Sequence, residues 1–208
     1  MRPRLTIAAC LWNPNRHTHD FSTCYNESWV EKLYRGFKRN LTIPFEFVCF
    51  TDRERKFAEP IQQERLETKE PNYGCLIEPF KLNTPTIICG LDMVVLENID
   101  HMARYCLRRG RIAAPVHPSR ADLGVINPVV FVPAGHREVF DTWRGENDME
   151  WLRKFDCRDT EEMWPEQIRS WKLHDLRKRG KQQAKIVYFH GKPKPNVISE
   201  SWIVQAWR

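Results

Sequence analysis

Polar and aromatic residues follow three apolar runs of the chain, where they could form a binding site. The runs and the residues after them are Leu5–Leu11 with Trp12, Phe45–Phe50 with Thr51 and Asp52, and Thr86–Leu91 with Asp92. Parallel strands end at one edge of an open α/β sheet, and ligands bind at that edge. An acidic residue at the end of a buried strand is costly unless it is hydrogen-bonded or bound to a metal. Either Asp52 or Asp92 alone is typical of a turn. The two together, each at the end of a strand of one sheet, indicate a binding site as strongly as they indicate turns.

The segment Phe189-His190-Gly191-Lys192-Pro193 is the sharpest local signal in the chain. A histidine directly after a buried strand can offer a neutral imidazole to a divalent metal. Gly191 allows a ligand to approach the backbone closely, and Lys192 can neutralise phosphate oxygens. A lone histidine is more often a core or turn residue, so this segment by itself leaves both interpretations open.

Hydrophobic patterns predict the elements that must position these residues. Leu5–Leu11 and Phe45–Phe50 are continuous apolar runs, which are typical of strands buried on both faces. Between them, Ser28 and Glu31 have the spacing of a capping box. A helical stripe follows, made of Val30, Leu33, Tyr34 and Phe37. The first fifty residues therefore predict strand, helix and strand, the unit of a parallel α/β sheet.

The rest of the chain continues as a mixture of short strands and helices. The polar stretch 53–73 predicts a loop with at most one short helix. Strands or extended segments are predicted at Thr86–Leu91, Met93–Leu96, Ile112–Ala114, Val125–Val132 and Ile186–Phe189, and helices around His136–Trp143 and Asp148–Phe155. No repeat, low-complexity tract or linker divides the sequence. We therefore expect a single α/β domain over residues 1–208, with a central, mostly parallel sheet flanked by helices.

Charge and cysteine content narrow the classes of function. The chain has 33 Lys and Arg against 27 Asp and Glu, and residues 169–208 hold ten of these bases and only two acids. Such a basic segment suits nucleic acid, phospholipid or a nucleoside diphosphate, and a solvated surface explains it equally well. Seven cysteines without CxxC spacing favour neither a disulfide framework nor a cysteine zinc site. Without a signal-peptide or membrane-span pattern, the sequence favours a cytoplasmic protein.

Five short segments, in order along the chain, carry a resemblance to a known family. They are Leu33–Leu41, Pro44–Asp52, Leu91–Val95, Trp164–Glu166 with Ser170, and Phe189–Pro195. The ordered set resembles nucleotide-sugar glycosyltransferases of the GT-A fold, of bacterial and phage type, near the glycogenin and galactosyltransferase-like group. The resemblance implies a Rossmann-like, GT-A-like domain. Residues 1–100 would form its nucleotide-binding half, and residues 101–208 its acceptor-side half with a C-terminal metal and phosphate loop.

The resemblance also implies a reaction and a set of site residues. The reaction is metal-dependent transfer of a sugar from a nucleoside-diphosphate sugar, with a UDP-sugar as the expected donor, to a hydroxyl of a glycan, protein or small molecule. In this family, an Asp-x-Asp motif and a later histidine bind Mn²⁺ or Mg²⁺, which implies Asp92 and His190 as metal ligands. The implied donor-binding residues are Leu11, Trp12, Thr51, Asp52, Lys81, Gly191 and Lys192. On the acceptor side, the resemblance implies catalytic roles for Asp148 and Asn127. A helix N-terminal charge and ordinary turn chemistry explain these two residues equally well.

One departure from the family pattern leaves the activity open. Gly90 stands where the motif has its first Asp, while Asp92 keeps the place of the second. Glu78 and Glu97 are the candidates to compensate for the missing carboxylate. The first alternative is a catalytically inactive module that binds nucleotide or sugar. The second, less favoured, is a nucleic-acid-binding protein that uses the basic C-terminal segment and its tryptophans.

Overall fold

A seven-stranded sheet lies at the centre of the computed structural model, which describes residues 4–208. The strands of the described chain are β1 (Leu5–Leu11), β2 (Phe45–Thr51), β3 (Ile61–Arg65), β4 (Thr86–Cys89), β5 (Met93–Val95), β6 (Ile112–Ala114), β7 (Val129–Val132), β8 (Cys157–Asp159), β9 (Ile168–Ser170) and β10 (Ile186–Tyr188). The main sheet has the order β3-β2-β1-β4-β7-β6-β8, and β5, β10 and β9 form a second sheet. In the main sheet β7 runs antiparallel to both β4 and β6, and the other pairs are parallel.

Seven short or medium helices surround these sheets in the described part of the chain. They are α1 (Glu27–Asn40), α2 (Asp100–Cys106), α3 (Glu138–Asp141), α4 (Asp148–Leu152), α5 (Thr160–Met163), α6 (Leu176–Arg179) and α7 (Ser201–Ala206). Four segments form 3-10 helices: Asp20–Ser22, Tyr73–Leu82, Ala121–Leu123 and Pro195–Val197. The predicted α/β class and the central, mostly parallel sheet are confirmed.

Strand β1 is the central strand on which the site is built. All seven of its side chains are buried, as the continuous apolar run predicts. It pairs in parallel with β2, so that Leu11 lies opposite Thr51, and with β4, so that Ala9 lies opposite Cys89. The carboxyl ends of β1, β2 and β4 therefore meet at one edge of the sheet, as the sequence predicts.

Helix α1 covers the sheet with the predicted apolar stripe, but its start differs from the prediction. Trp29, Val30, Leu33, Tyr34 and Phe37 are buried against the core. The cap is Asn26 rather than Ser28, because the side chain of Asn26 accepts a hydrogen bond from the Ser28 backbone N–H at 3.0 Å. A capping side chain satisfies backbone donors that the first helical turn leaves unpaired.

The stretch 53–73 contains a strand, which corrects the prediction of a loop. Strand β3 pairs in parallel with β2 at the edge of the sheet. Only Ile61 of its five residues is buried. An edge strand with solvent on both faces needs no alternation of apolar and polar residues, so its sequence carries no hydrophobic signal.

The second sheet brings two distant segments of the chain together. Strand β10 is antiparallel to β5, with Tyr188 opposite Met93. Beyond this pair, the Phe189 backbone N–H donates to the Asp92 carbonyl at 3.1 Å. Asp92 precedes β5 and His190 follows β10, so this register places the two residues beside each other at the end of the sheet.

Candidate active site

A cavity of about 470 Å³ opens at the carboxyl ends of β1 and β4. Its walls are mainly apolar and aromatic, and they come from many regions of the chain. Among these are the end of β1, residues 18–25, the start of the 3-10 helix Tyr73–Leu82, the segment after β4, residues 126–128, the start of α4 and the segment after β10. The sequence-predicted residues that line it are Leu11, Trp12, Asp92, Asn127, Asp148, His190 and Gly191. The fold thus gathers residues separated by up to 180 positions around one space.

Asp92 is engaged on one of its two carboxylate oxygens. The Tyr25 hydroxyl donates to Oδ2 at 2.9 Å, and the ammonium of Lys194 donates to the same oxygen. Lys194 is 4% exposed and also donates to the Phe189 carbonyl oxygen at 2.9 Å. Asp92, which lines the cavity, therefore forms a nearly buried ion pair with Lys194.

Aromatic rings enclose the lysine of this pair. The Lys194 Nζ lies 4.9 Å from the ring centroid of Phe21 and 5.4 Å from that of Tyr25. A cation over an aromatic face is attracted by the negative face of the ring. Burial and the neighbouring charge of Asp92 raise the pKa of the Tyr25 hydroxyl, which keeps it protonated as a hydrogen-bond donor.

His190 lies at the cavity with its ring held by β9. Its Nδ1 is 3.1 Å from the hydroxyl oxygen of Ser170, the last residue of that strand. Burial lowers the pKa of His190, and the positive charge of Lys172 lowers it further. The imidazole is therefore neutral at pH 7.

Asp148 and Asn127 form a hydrogen-bonded pair that also lines the cavity. The Asn127 Nδ2 donates to Oδ2 of Asp148, and the Met149 backbone N–H donates to Oδ1 at 2.9 Å. Asn147 caps helix α4, which fixes Asp148 as the first helical residue. Asp148 is 3% exposed, and burial raises its pKa to about 6. A carboxylate with this pKa can take up a proton near neutral pH.

A cluster of aromatic rings forms one wall of the cavity. His19, Phe21 and Tyr73 are all in mutual contact, with ring centroids 5.4 Å apart for His19 and Phe21, 5.3 Å for His19 and Tyr73, and 6.4 Å for Phe21 and Tyr73. Trp12 meets Tyr73 edge-on at 5.8 Å. Four aromatic residues of the cavity were not predicted from the sequence: His19, Phe21, Tyr25 and Tyr73. They lie in irregular or 3-10 segments where no periodic pattern marks a residue, although the aromatic residues that follow β1 were a usable signal.

Four predicted donor-binding residues do not line the cavity. Thr51 and Asp52 are bonded to buried Arg55, whose guanidinium donates to the Thr51 hydroxyl at 2.6 Å and to the Asp52 carboxylate at 2.7 Å. Burial acts to raise the pKa of Asp52, but the Asn13 N–H and the Arg55 guanidinium lower it overall. These residues tie the ends of β1 and β2 together. Lys81 pairs with Glu67 at 3.3 Å, and Lys192 is exposed.

The two glutamates considered as replacements for the missing carboxylate are also outside the cavity. Glu78 is fully buried and accepts hydrogen bonds from the backbone N–H groups of Glu67 and Thr68 at 2.7 and 3.0 Å. Glu97 pairs with Lys181. The first therefore orders the loop before the 3-10 helix, and the second joins two surface segments.

The side chains around Asp92 do not fit a bound divalent cation. Gly90 provides no carboxylate, and Oδ2 of Asp92 already holds the ammonium of Lys194. Across residues 4–208, no group of three or more His, Cys, Asp or Glu side chains is arranged to hold a metal ion. Mn²⁺ and Mg²⁺ need several oxygen or nitrogen ligands at close range. Asp92 and His190 alone do not supply such a set.

The basic C-terminal segment is partly neutralised on the surface. Lys178 lies 3.7 Å from the Asp175 carboxylate, and Arg177 lies 4.0 Å from that of Glu200. Exposed pairs of this kind contribute little to stability. No helix within the described range 4–208 has both the length and the apolar character needed to cross a membrane.

The fold is similar to those of solved glycosyltransferases. Two structures of the glycosyltransferase GlyE from Streptococcus pneumoniae TIGR4 are 10% and 9% identical to this chain, with TM-scores of 0.62 and 0.59, the second being the apo form. The apo structure of the bifunctional glycosyltransferase WbbM is 9% identical, with a TM-score of 0.57. The likeness covers 99–100% of this chain and confirms the predicted GT-A-like fold.

The chain is shorter than these structural neighbours. It spans 61% and 60% of the two GlyE chains and 52% of the WbbM chain. No protein-family model matches the sequence, and no curated protein matches it.

Proposed function

We propose that the chain transfers a glycosyl group from a nucleoside-diphosphate sugar to a hydroxyl of an acceptor. One observation carries the proposal: the cavity at the carboxyl ends of β1 and β4 gathers Trp12, Asp92, Asn127, Asp148 and His190 on a glycosyltransferase-like fold. In open α/β sheets, this edge is where ligands bind. The donor class comes from the resemblance in the sequence, and a UDP-sugar is the first donor to test.

The donor side of the cavity is its aromatic wall. Trp12 and Tyr73 line the space and offer ring faces or edges to a nucleobase. Stacking of a base on an aromatic side chain contributes about 1–3 kcal/mol. Oδ2 of Asp92 is occupied by Tyr25 and Lys194, so Oδ1 is the oxygen left to accept a hydrogen bond from a sugar or ribose hydroxyl.

The acceptor side is the pair of Asp148 and Asn127. Above pH 6 the Asp148 carboxylate is ionised and can accept the proton of an acceptor hydroxyl. The acceptor oxygen then forms a bond to the anomeric carbon of the sugar, and the bond from that carbon to the diphosphate oxygen breaks. The electron pair of the broken bond leaves with the nucleoside diphosphate. Asn127 orients Asp148 through its hydrogen bond to Oδ2.

The experiment that tests the function uses a panel of UDP-, GDP- and ADP-sugars. Binding is measured as a rise in melting temperature, and turnover as release of nucleoside diphosphate with water or simple glycosides as acceptors. We expect at least one donor to stabilise the protein and to be turned over. The Asp148→Asn variant should bind this donor and lose turnover by roughly 10²–10⁴-fold, the usual contribution of a general base.

Glu150→Gln is the matched control, because Glu150 is an exposed acid in the same short helix. It should behave as the wild type in both measurements. Binding without turnover by the wild type would favour the inactive binding module instead. If no donor binds at any concentration tested, the proposed function is wrong.

A further inference from the structure

We propose that this site binds the diphosphate of its donor without a divalent cation, because the ammonium of Lys194 already occupies the position beside Asp92 that a metal ion would need. The inference rests on the proposed function and concerns its cofactor. The Mn²⁺ or Mg²⁺ implied by the resemblance in the sequence stays a prediction, and the contacts around Asp92 favour the opposite.

The ion pair between Asp92 and Lys194 is complete without a metal ion. The lysine side chain is 5% exposed and the aspartate side chain 17%. The ammonium has two oxygen acceptors, Oδ2 of Asp92 and the Phe189 carbonyl, and two aromatic faces around it. A buried charge that lacks a partner is strongly destabilising, so each member of the pair holds the other in place. A metal ion on Asp92 would have to displace the lysine and leave its charge buried and unpaired.

Gly90 leaves space beside the second carboxylate oxygen of Asp92. A Cβ atom at this position would lie 3.1 Å from Oδ1 of Asp92 and 3.4 Å from the Pro128 carbonyl oxygen. A side chain here would crowd the free oxygen of Asp92. With glycine, Oδ1 stays open to the cavity, where it can accept a hydrogen bond from a hydroxyl group. Asp92 thus acts as a hydrogen-bond acceptor for the donor.

Without a metal ion, a bound diphosphate needs positive charge from the protein. Leu173 and Gly191 line the cavity, and the residues next to them in the chain, Lys172 and Lys192, are exposed lysines. Exposed lysines that flank lining residues add positive charge near the cavity, and positive charge stabilises the negative charge that develops on a leaving diphosphate. These lysines belong to the basic C-terminal segment. From the sequence alone, its charge suits nucleic acid, phospholipid, a nucleoside diphosphate or a solvated surface.

UDP binding is measured by calorimetry, first with EDTA in the buffer and then with Mn²⁺. In a separate experiment, Mn²⁺ binding without nucleotide is measured by electron paramagnetic resonance. We expect wild-type protein to bind UDP with the same Kd in both conditions and to leave the free Mn²⁺ signal unchanged. UDP binding that requires Mn²⁺ would overturn the inference and leave the proposed function standing. If UDP does not bind in either condition, the same measurement is made with GDP and ADP, and absence of binding by all three would overturn the inference and the proposed function together.

The variant Lys194→Met tests the role of the lysine itself. Loss of the buried counter-charge should lower the melting temperature by roughly 10 °C. It should also expose the Asp92 carboxylate to cations, so that Mn²⁺ raises the melting temperature of this variant and not of the wild type. Lys178→Met removes the same charge from an exposed site on α6 and is the control. A Lys194→Met protein that ignores Mn²⁺ would show that the ammonium does not exclude cations from Asp92. If this variant does not fold, the two wild-type measurements still decide the question.

Discussion

The substitution Asp148→Asn is expected to make the protein more stable while it removes activity. Asp148 is 3% exposed, and its carboxylate accepts hydrogen bonds from Asn127 and from the Met149 backbone N–H. These bonds do not offset the cost of burial, because the pKa of the carboxyl group is raised from 3.8 to about 6. The folded protein therefore carries a charge that is more stable in the unfolded chain. Asn has nearly the same shape and no charge.

The raised pKa sets the size of the effect. A rise in pKa of about two units corresponds to as much as about 3 kcal/mol of lost unfolding free energy, at 1.36 kcal/mol per pKa unit. Because the pKa of the folded state lies above that of the unfolded state, this destabilisation is absent well below pH 3.8. It grows as the pH rises and is complete above about pH 6. The advantage of Asp148→Asn should therefore be roughly 0.5 kcal/mol at pH 4 and about 3 kcal/mol at pH 8.

Urea denaturation of both proteins between pH 4 and pH 8 measures this difference. Other groups that titrate in this range are common to both proteins, so the difference in unfolding free energy isolates Asp148. Glu150→Gln, which removes an exposed acid from the same helix, is the control and should show no comparable growth with pH. A difference that is constant with pH, or that favours the wild type at pH 8, would refute the argument that burial of the charge is costly. A protein that keeps such a residue has traded stability for function, which is common at active sites.

Three further substitutions separate the binding site from the scaffold. Tyr73→Ala should weaken UDP binding by about 1–3 kcal/mol in calorimetry, because it removes the stacking ring. Tyr73→Phe keeps the ring and should bind UDP with nearly unchanged affinity. An equal loss of UDP affinity in both variants would exclude stacking. Arg55→Met should lower the unfolding free energy in urea by about 3–5 kcal/mol, because it leaves Asp52 without its buried partner, and it should leave the Kd for UDP unchanged. Gly74→Ala should destabilise by about 1–3 kcal/mol in thermal unfolding, since a Cβ there would lie 2.6 Å from the Glu146 carbonyl oxygen. A fully stable Gly74→Ala protein would show that the 3-10 helix is not held against that loop.

The elements with strong hydrophobic patterns were the predictable part of the fold. Leu5–Leu11 was predicted and observed with the same bounds, and the buried stripe of α1 matches the predicted residues. Strand β3 and the three-residue strands β8 and β9 were not predicted. Each is too short or too exposed to show a period, and each exists because a neighbouring strand offers unpaired backbone groups. Tertiary pairing of this kind leaves no mark in the local sequence.

The site was predictable where it depends on strand ends and not where it depends on register. Trp12 and Asp92 follow buried strands, and the end of a strand is visible in the sequence. Lys192 and Lys194 are two residues apart in an irregular loop, and no local pattern distinguishes them. The register of β10 against β5, with Tyr188 opposite Met93, decides which of them reaches the aspartate.

This register also joins the charge of the site to the stability of the second sheet. The Phe189 backbone is bonded through its N–H to the Asp92 carbonyl and through its carbonyl oxygen to the Lys194 ammonium. The same ammonium also donates to the Asp92 carboxylate. The backbone pairing of Asp92 with Phe189 and the ion pair of Asp92 with Lys194 are therefore linked through the same three residues. A shift of β10 by one residue would turn its side chains to the other face and separate the lysine from the aspartate. The ion pair therefore favours the native register, and the native register keeps the cation at Asp92.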